Sequence, residues 1–162
     1  MKIAVIYHSE SGNTAQVAEL IAQGARLNDG VEVQVMSVED VDKDYVAESK
    51  AVFLGTPTYS GCFSWQLKDW LDTGRVKLAD KLGAVFATEN FLGGGADTAE
   101  MGLIGHLLVK GMVVYSSGAA KGQPFTHYGC VTIKAGDEAQ QERARIFGQR
   151  VAAKALELFG AR

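Results

Sequence analysis

The stretch KIAVIYHSESGNT, from Lys2 to Thr14, decides the fold of this chain. Its first half, Ile3 to Tyr7, is a short apolar run without alternation, which is typical of a strand buried on both faces. Its second half, Ser9 to Thr14, is small and rich in hydroxyls and directly precedes a helical pattern. Because backbone N–H groups and the helix dipole both point into such a turn, it is a place to hold a phosphate.

The turn contains no lysine or arginine. Neither the Gly-Lys-Ser/Thr of the nucleotide-triphosphate loop nor the dinucleotide fingerprint G-x-G-x-x-G is present. The turn therefore favours a terminal phosphate monoester, neutralised by dipoles and hydroxyls alone. The alternative is an ordinary strand-to-helix turn whose Ser and Thr only cap the helix.

Length and composition indicate one ordinary globular domain, 1–162, of 162 residues. A formal charge of −3 without a run of basic residues argues against nucleic-acid binding. No signal peptide is visible, and no apolar stretch approaches the roughly 20 residues that span a bilayer. Cys62 and Cys130 lie far apart, without metal-ligand spacing. We therefore expect a cytoplasmic protein with no membrane insertion and no metal.

Strand and helix patterns alternate five times along the chain, which predicts an α/β fold with a doubly wound, five-stranded parallel sheet. One helical pattern places Met101, Ile104 and Leu108 on a single face, and another begins near Asp137. The other predicted strands are 31–35, 51–55, 82–87 and 112–115, and the last of these continues at 130–133 after an excursion. Two further helices are predicted at 13–28 and 63–73, with Phe63 on the apolar face of the second. The final helix carries Phe147, Val151, Ala155 and Leu158 on one face.

Three unusual loops, Ser9–Thr14, Thr56–Gly61 and Thr88–Gly95, each follow a strand on the carboxyl edge of the predicted sheet. Ligands bind doubly wound sheets at that edge, where the winding reverses, so the loops should converge on one crevice. In the second loop, Tyr59 either stacks on a flat ring or anchors its own loop, and Gly61 permits a positive φ.

The third loop, TENFLGGG, offers hydrogen-bonding side chains and backbone that a ligand can approach closely. The alternative for this loop is a flexible connector into the next helix, capped by Asp97 or Thr98.

The first loop resembles the Ser-x-Ser/Thr-Gly-Asn-Thr phosphate loop of the flavodoxin superfamily. Later stretches are similar to WrbA-type NAD(P)H:quinone oxidoreductases and to smaller flavodoxin-family FMN reductases. The resemblance implies a flavodoxin-like sheet of order 2-1-3-4-5 that binds FMN. The matching stretches are GTPT (55–58), QLKDWLD (66–72), GGG (93–95), GMVV (111–114) and YGCVTIKAGD (128–137).

The resemblance also implies where FMN would lie. The first loop would bind the phosphate, the second would hold one side of the flavin ring, and the third would follow its polar edge. The expected FMN-binding residues are Ser9, Glu10, Ser11, Gly12, Asn13, Thr14, Pro57, Thr58, Tyr59, Ser60, Gly61, Thr88, Glu89, Asn90, Phe91, Leu92 and Gly93.

The expected reaction is two-electron transfer from NAD(P)H, as hydride through the flavin N5, to a quinone or another flat acceptor. His127 is the candidate proton donor, and a surface loop histidine is its alternative reading. The rival function is a flavodoxin-type one-electron carrier without substrate turnover, which would dock through acidic residues such as Asp40 and Asp42. A third possible function is that of an FMN-binding adaptor.

The chain departs from the WrbA-type pattern at several points. Tyr59 to Cys62 replace an Arg-Phe-Gly-Asn run, and Lys110 stands where that subfamily has a histidine. The connections at 74–80 and 119–123 are shorter. We expect a homo-oligomer, either a dimer because Trp65 falls outside the predicted core face, or a tetramer as in the resembled subfamily.

Overall fold

The computed structural model describes residues 1–160 as one sheet with helices on both faces. The strands are β1 (Lys2–Tyr7), β2 (Glu32–Ser37), β3 (Ala51–Tyr59), β4 (Cys62–Phe63), β5 (Leu82–Glu89), β6 (Val113–Val114) and β7 (Cys130–Ile133). The helices are α1 (Asn13–Ala25), α2 (Lys43–Glu48), α3 (Trp65–Thr73), α4 (Ala96–Val109) and α5 (Glu138–Phe159), with a 3₁₀ turn at Ala119–Lys121.

The parallel strands follow the order β2-β1-β3-β5, and β6 and β7 both pair with β5. β6 lies beside the first residues of β5, and β7 lies beside its last four. The predicted order 2-1-3-4-5 is confirmed, with the fifth position divided between two short strands. The excursion between them, residues 115–129, leaves the sheet and returns.

β1 lies at the centre of both halves of the core, because its side chains alternate between the two faces. Ile3 and Val5 belong to the cluster under α1 and α5, while Ala4 and Ile6 belong to the cluster under α2, α3 and α4. All four are fully buried, so the predicted burial of this apolar run on both faces is confirmed.

The face predicted for α4 is wrong. Met101 and Leu108 are exposed, while the small Ala96 and Ala99, with Leu103, face the sheet. α4 is apolar on nearly every side, so apolar spacing alone does not define its buried face. Similarly, Leu158 near the end of α5 is exposed although Phe147, Val151 and Ala155 are buried as predicted.

Phe63 does not belong to a helix. The second loop turns back as a short hairpin, in which Phe63 of β4 pairs with Thr58 of β3. α3 then begins at Trp65, where the Ser64 hydroxyl accepts a hydrogen bond from the Leu67 amide at 3.3 Å. Phe63 still packs inward, with its ring 5.5 Å from that of His106.

Candidate functional site

The three loops converge on one cavity of about 230 Å³ at the carboxyl edge of the sheet. The convergence predicted from the sequence is therefore confirmed. Most of the lining residues offer hydroxyl, amide or backbone groups, and three of them, Glu10, Glu89 and Lys134, have charged side chains. The lining residues are Glu10, Ser11, Asn13 and Thr14 of the first loop, Pro57, Thr58 and Tyr59 of the second, Thr88, Glu89 and Asn90 of the third, and Lys134.

The first loop presents the start of α1 to this cavity. Gly12 precedes the helix with φ at 88°, a conformation that favours glycine, and its N–H donates to the Ser9 hydroxyl at 3.1 Å. No side chain caps α1. The N–H groups of its first turn therefore remain available to an anion, together with the positive end of the helix dipole.

Hydroxyl contacts join the first loop to the third. The Thr14 and Thr88 Oγ1 atoms lie 2.9 Å apart, and both residues are buried. Glu89, also buried, accepts a hydrogen bond from the Ala96 N–H at 3.1 Å and so caps α4. The cap at Asp97 or Thr98 that the alternative reading required is wrong, because α4 begins after Gly95 and its buried first N–H is satisfied by a carboxylate from β5.

The second loop is a two-residue hairpin turn. Ser60 and Gly61 have φ at 51° and 75°, the left-handed pair of a type I′ turn, so the positive φ predicted for Gly61 is confirmed. The Tyr59 hydroxyl donates to Glu10 Oε2 at 3.1 Å and ties this hairpin to the first loop. Burial, and then the neighbouring Glu10 carboxylate, raise the pKa of Tyr59.

One lining atom lacks a partner. Thr58 Oγ1 is buried and makes no hydrogen bond within the described residues. A buried hydroxyl without a partner destabilises a protein unless a ligand or water satisfies it. Together with the uncapped start of α1, this hydroxyl fits a cofactor with a terminal phosphate and a polar ring, as the predicted FMN would be.

A comparison with known families agrees with this geometry. The family model described as "Flavodoxin" matches residues 5–105, which include all three loops. The chain belongs to the flavodoxin family. A flavodoxin from Clostridium saccharobutylicum is 44% identical over 160 residues, covering 98% of this chain and 100% of that protein.

More distant relatives include proteins that are named as enzymes. An NAD(P)H dehydrogenase (quinone) from Archaeoglobus fulgidus is 30% identical over 189 residues, covering 97% of this chain and 98% of the relative. Among solved structures, the flavodoxin, WrbA-like protein from Agrobacterium tumefaciens has a TM-score of 0.79 at 24% identity, covering 96% of this chain and 98% of that one. That structural likeness shows the shared flavodoxin fold.

Some of the predicted FMN-binding residues lie beside the cavity without lining it. Phe91 and Leu92 are exposed at 65% and 86%, respectively, at the tip of the third loop. The other predicted residues outside the lining set are Ser9, Gly12, Ser60, Gly61 and Gly93. Their contact with FMN stays a prediction.

Lys134 is a lining residue that sequence reasoning missed. It follows β7 and its N–H donates to the Glu89 carbonyl at 2.7 Å, which places it at the same sheet edge as the three loops. Applying the carboxyl-edge rule to the fifth strand position would have found it. It gives the cavity a cation that the phosphate turn itself lacks.

The three histidines lie apart from the cavity lining. His127 lines a separate cavity with Glu100 and Arg143, and its predicted catalytic role stays a prediction. His8 is buried beneath the second loop, with Nδ1 3.0 Å from Glu39 Oε1. His106 packs on Phe63, and burial lowers its pKa.

The two cysteines differ in their surroundings. Cys130 is fully buried in β7, and burial raises the pKa of its thiol to about 12. A thiol with so high a pKa is protonated and unreactive at neutral pH. Cys62 is exposed in β4 and makes no disulfide. Between residues 1 and 160, no helix combines the length and apolar character that crossing a bilayer requires.

Proposed function

We propose that this protein binds FMN in the cavity formed by the three loops and works as a one-electron carrier. The observation that carries the proposal is the end-to-end match, at 44% identity, to a protein named flavodoxin. The relatives named as quinone-reducing enzymes support turnover less well. Their alignments span 189 and 204 positions against the 162 residues of this chain, so they contain segments with no counterpart here.

Different residues of the cavity would contact different parts of FMN. The N–H groups at the start of α1 and the hydroxyls of Ser11 and Thr14 would bind the phosphate, with Lys134 adding positive charge from the neighbouring strand end. Thr58 and Tyr59 would contact the ring. FMN itself supplies the redox chemistry, and the chain positions it and tunes its surroundings.

A carrier needs a docking surface for larger redox proteins. The segment after β2 supplies exposed carboxylates at Asp40, Asp42 and Asp44, on the same sheet edge as the FMN cavity. Charged patches of this kind steer a partner of opposite charge and fix its orientation. We propose basic redox proteins as the electron donor and acceptor.

The second candidate is an FMN enzyme that oxidises NAD(P)H and reduces quinones. It is favoured by relatives named NAD(P)H dehydrogenase (quinone) in Archaeoglobus fulgidus and Paraburkholderia phymatum, each 30% identical over nearly the whole chain. In that case NAD(P)H would be a substrate and a flat quinone the acceptor.

An anaerobic redox titration of the purified yellow protein tests the proposal. A carrier gives two one-electron steps at separated potentials, whereas an enzyme of the second kind gives one two-electron step. The same preparation is then mixed with NADH or NADPH and benzoquinone. Steady, protein-dependent NAD(P)H oxidation would replace the first proposal by the second, and a colourless protein that refuses added FMN would refute both.

A further inference from the structure

A second cavity, of about 280 Å³, lies between α4, α5 and the excursion at residues 115–129. It shares no lining residue with the cavity of the three loops. Its inner wall carries Glu100 of α4 and Arg143 of α5, and its mouth carries Phe125, His127 and Tyr128 of the excursion. The proposed electron-carrier function uses none of these residues.

The excursion is fastened to α5, so the mouth of the cavity has a fixed wall. The Arg150 guanidinium donates hydrogen bonds to four consecutive carbonyls, and the Thr126 hydroxyl donates to the Ser116 carbonyl at 2.8 Å. One arginine that satisfies several carbonyls at once can hold a loop in place. The four carbonyls belong to Lys121, Gly122, Gln123 and Pro124.

The inner wall contains an acceptor without a donor. Glu100 is 1% exposed, and its Oε1 makes no hydrogen bond within the described residues. The carboxyl packs directly under the chain at Gly129, where an added Cβ would lie 2.5 Å from Glu100 Oε1 and 2.1 Å from the Val85 carbonyl oxygen. Because glycine has no Cβ, the Glu100 carboxyl fits against the chain at this position.

The same cavity contains a donor without an acceptor. Arg143 Nε is buried and likewise makes no hydrogen bond among residues 1–160. Arg143 and Glu100 form no ion pair with each other, although both line the cavity. Two residues that line this cavity therefore each bury an unpartnered polar atom, one an acceptor and the other a donor, which is costly unless a bound group satisfies them.

The mouth of the cavity is aromatic. Phe125 is 50% exposed and Tyr128 is 42% exposed, and the rings of His127 and Tyr128 lie 6.5 Å apart in an edge-on arrangement. Exposed rings at the mouth of a cavity whose wall also carries polar side chains are typical of sites that bind a flat ligand with a polar edge. The volume of about 280 Å³ is near the lower limit of ligand pockets, roughly 300 Å³, and suits one small ring system.

We propose that this cavity binds a flat heteroaromatic ring whose edge carries a hydrogen-bond acceptor beside an N–H donor. The acceptor takes the hydrogen bond of Arg143 Nε, and the N–H donates to Glu100 Oε1. Aromatic amides such as nicotinamide and nucleobases such as adenine share this edge. Aromatic carboxylates do not fit, because they lack the donor and because Asp97 adds negative charge at the rim.

The first experiment titrates the ¹⁵N-labelled full-length protein, loaded with FMN, with nicotinamide, adenine and nicotinate in turn. We expect shifts of the Gly129 amide and the Arg143 Nε–H with nicotinamide or adenine, and binding of nicotinate at least tenfold weaker. The tighter of the first two probes identifies the source of the ring. Shifts confined to Thr58 and Asn90 would place the probe in the other cavity and refute the proposal, as would no shift at all.

Matched variants then test the two contacts. We expect Arg143→Met to weaken binding of the better probe at least tenfold. Arg145→Met, two residues further along α5 and ion-paired with Glu142, should change it less than twofold. Equal binding by both variants would overturn the assignment of the donor. If Arg143→Met does not fold, the discrimination between nicotinamide and nicotinate by the natural chain decides alone. If the natural chain bound no FMN, the electron-carrier proposal would be refuted, and the same titration of the FMN-free protein would still test this cavity.

Discussion

The two cavities are built from different chemistry. The cavity of the three loops consists of a glycine turn, hydroxyls and the start of α1, and its buried Thr14, Thr88 and Glu89 side chains are already hydrogen-bonded. The cavity of the excursion buries a carboxyl and a guanidinium nitrogen that have no partner. Neutral donors can wait for an anion at small cost, whereas buried charged groups without partners are expensive. The first region therefore leaves one neutral hydroxyl, that of Thr58, without a partner, whereas the second leaves a carboxyl oxygen and a guanidinium nitrogen without partners.

The largest expected effect comes from the glycines of the two regions. Gly129→Ala should lower the free energy of unfolding by about 3 kcal/mol, because the new Cβ overlaps the Val85 carbonyl and the Glu100 carboxyl. Gly12→Ala should cost only about 1 kcal/mol, from its positive φ, since nothing lies within 4 Å of the added atom. Urea unfolding of both variants measures this. Equal costs would show that the second cavity is not tightly packed at Gly129.

The buried carboxyl should make stability depend on pH. Burial, and then the charges of Asp97 and Glu89, raise the pKa of Glu100 well above its ordinary value of 4.5. Below pH 4.5 the carboxyl is neutral in the folded and the unfolded protein alike. As pH rises from 4.5 towards the higher folded-state pKa, the unfolded chain releases its proton first, so the folded protein loses stability. Glu100→Gln removes this loss.

The variant should therefore gain stability over the natural chain as pH rises above 4.5, by no more than about 1.4 kcal/mol per pH unit. Urea unfolding of both proteins from pH about 4.5 to about 8 measures the difference. Glu138→Gln, at an exposed position of α5, should show no such trend. A flat difference for Glu100→Gln would mean that the carboxyl is solvated.

The contact between the first and third loops should have a smaller effect, mainly on the cofactor. Thr14→Val keeps the shape of the side chain but removes its hydroxyl, leaving the buried Thr88 hydroxyl without its 2.9 Å partner. We expect FMN affinity to fall about tenfold, equivalent to about 1.4 kcal/mol. Fluorescence titration of the apoprotein with FMN measures this. Thr98→Val, exposed on α4, is the control, and an equal loss there would remove the special role of Thr14.

The smallest expected effect tests how much a charged side chain contributes to FMN binding in the first cavity. Lys134 is exposed at the rim of the first cavity, so Lys134→Gln should weaken FMN binding about threefold at low salt. The difference should vanish at about 0.5 M salt, since exposed charges are screened. Lys121→Gln, on the excursion, should change nothing at either salt concentration. A loss that persists at high salt would mean a direct hydrogen bond instead.

Sequence reasoning reached the first cavity because each of its loops is contiguous and follows a recognisable strand. Ser9–Thr14 and the TPTYSG turn have signatures of their own, and the parallel-sheet rule brings them together. The same reasoning missed Lys134, because the fifth strand position is divided and its second half lies far along the chain. It also misplaced the face of α4, where apolar residues occur on nearly every side and the charged Glu100 is among the buried residues.

The amino-acid sequence by itself determined the strand-and-helix alternation, the phosphate turn and the edge of the sheet where a ligand would lie. These features depend on neighbouring residues and on the fixed periods of strands and helices. Only the tertiary structure decided what lies beneath the excursion. Glu100, Gly129 and Arg143 come together there because three elements, distant along the chain, pack against the divided edge of one sheet, and no local pattern encodes that meeting.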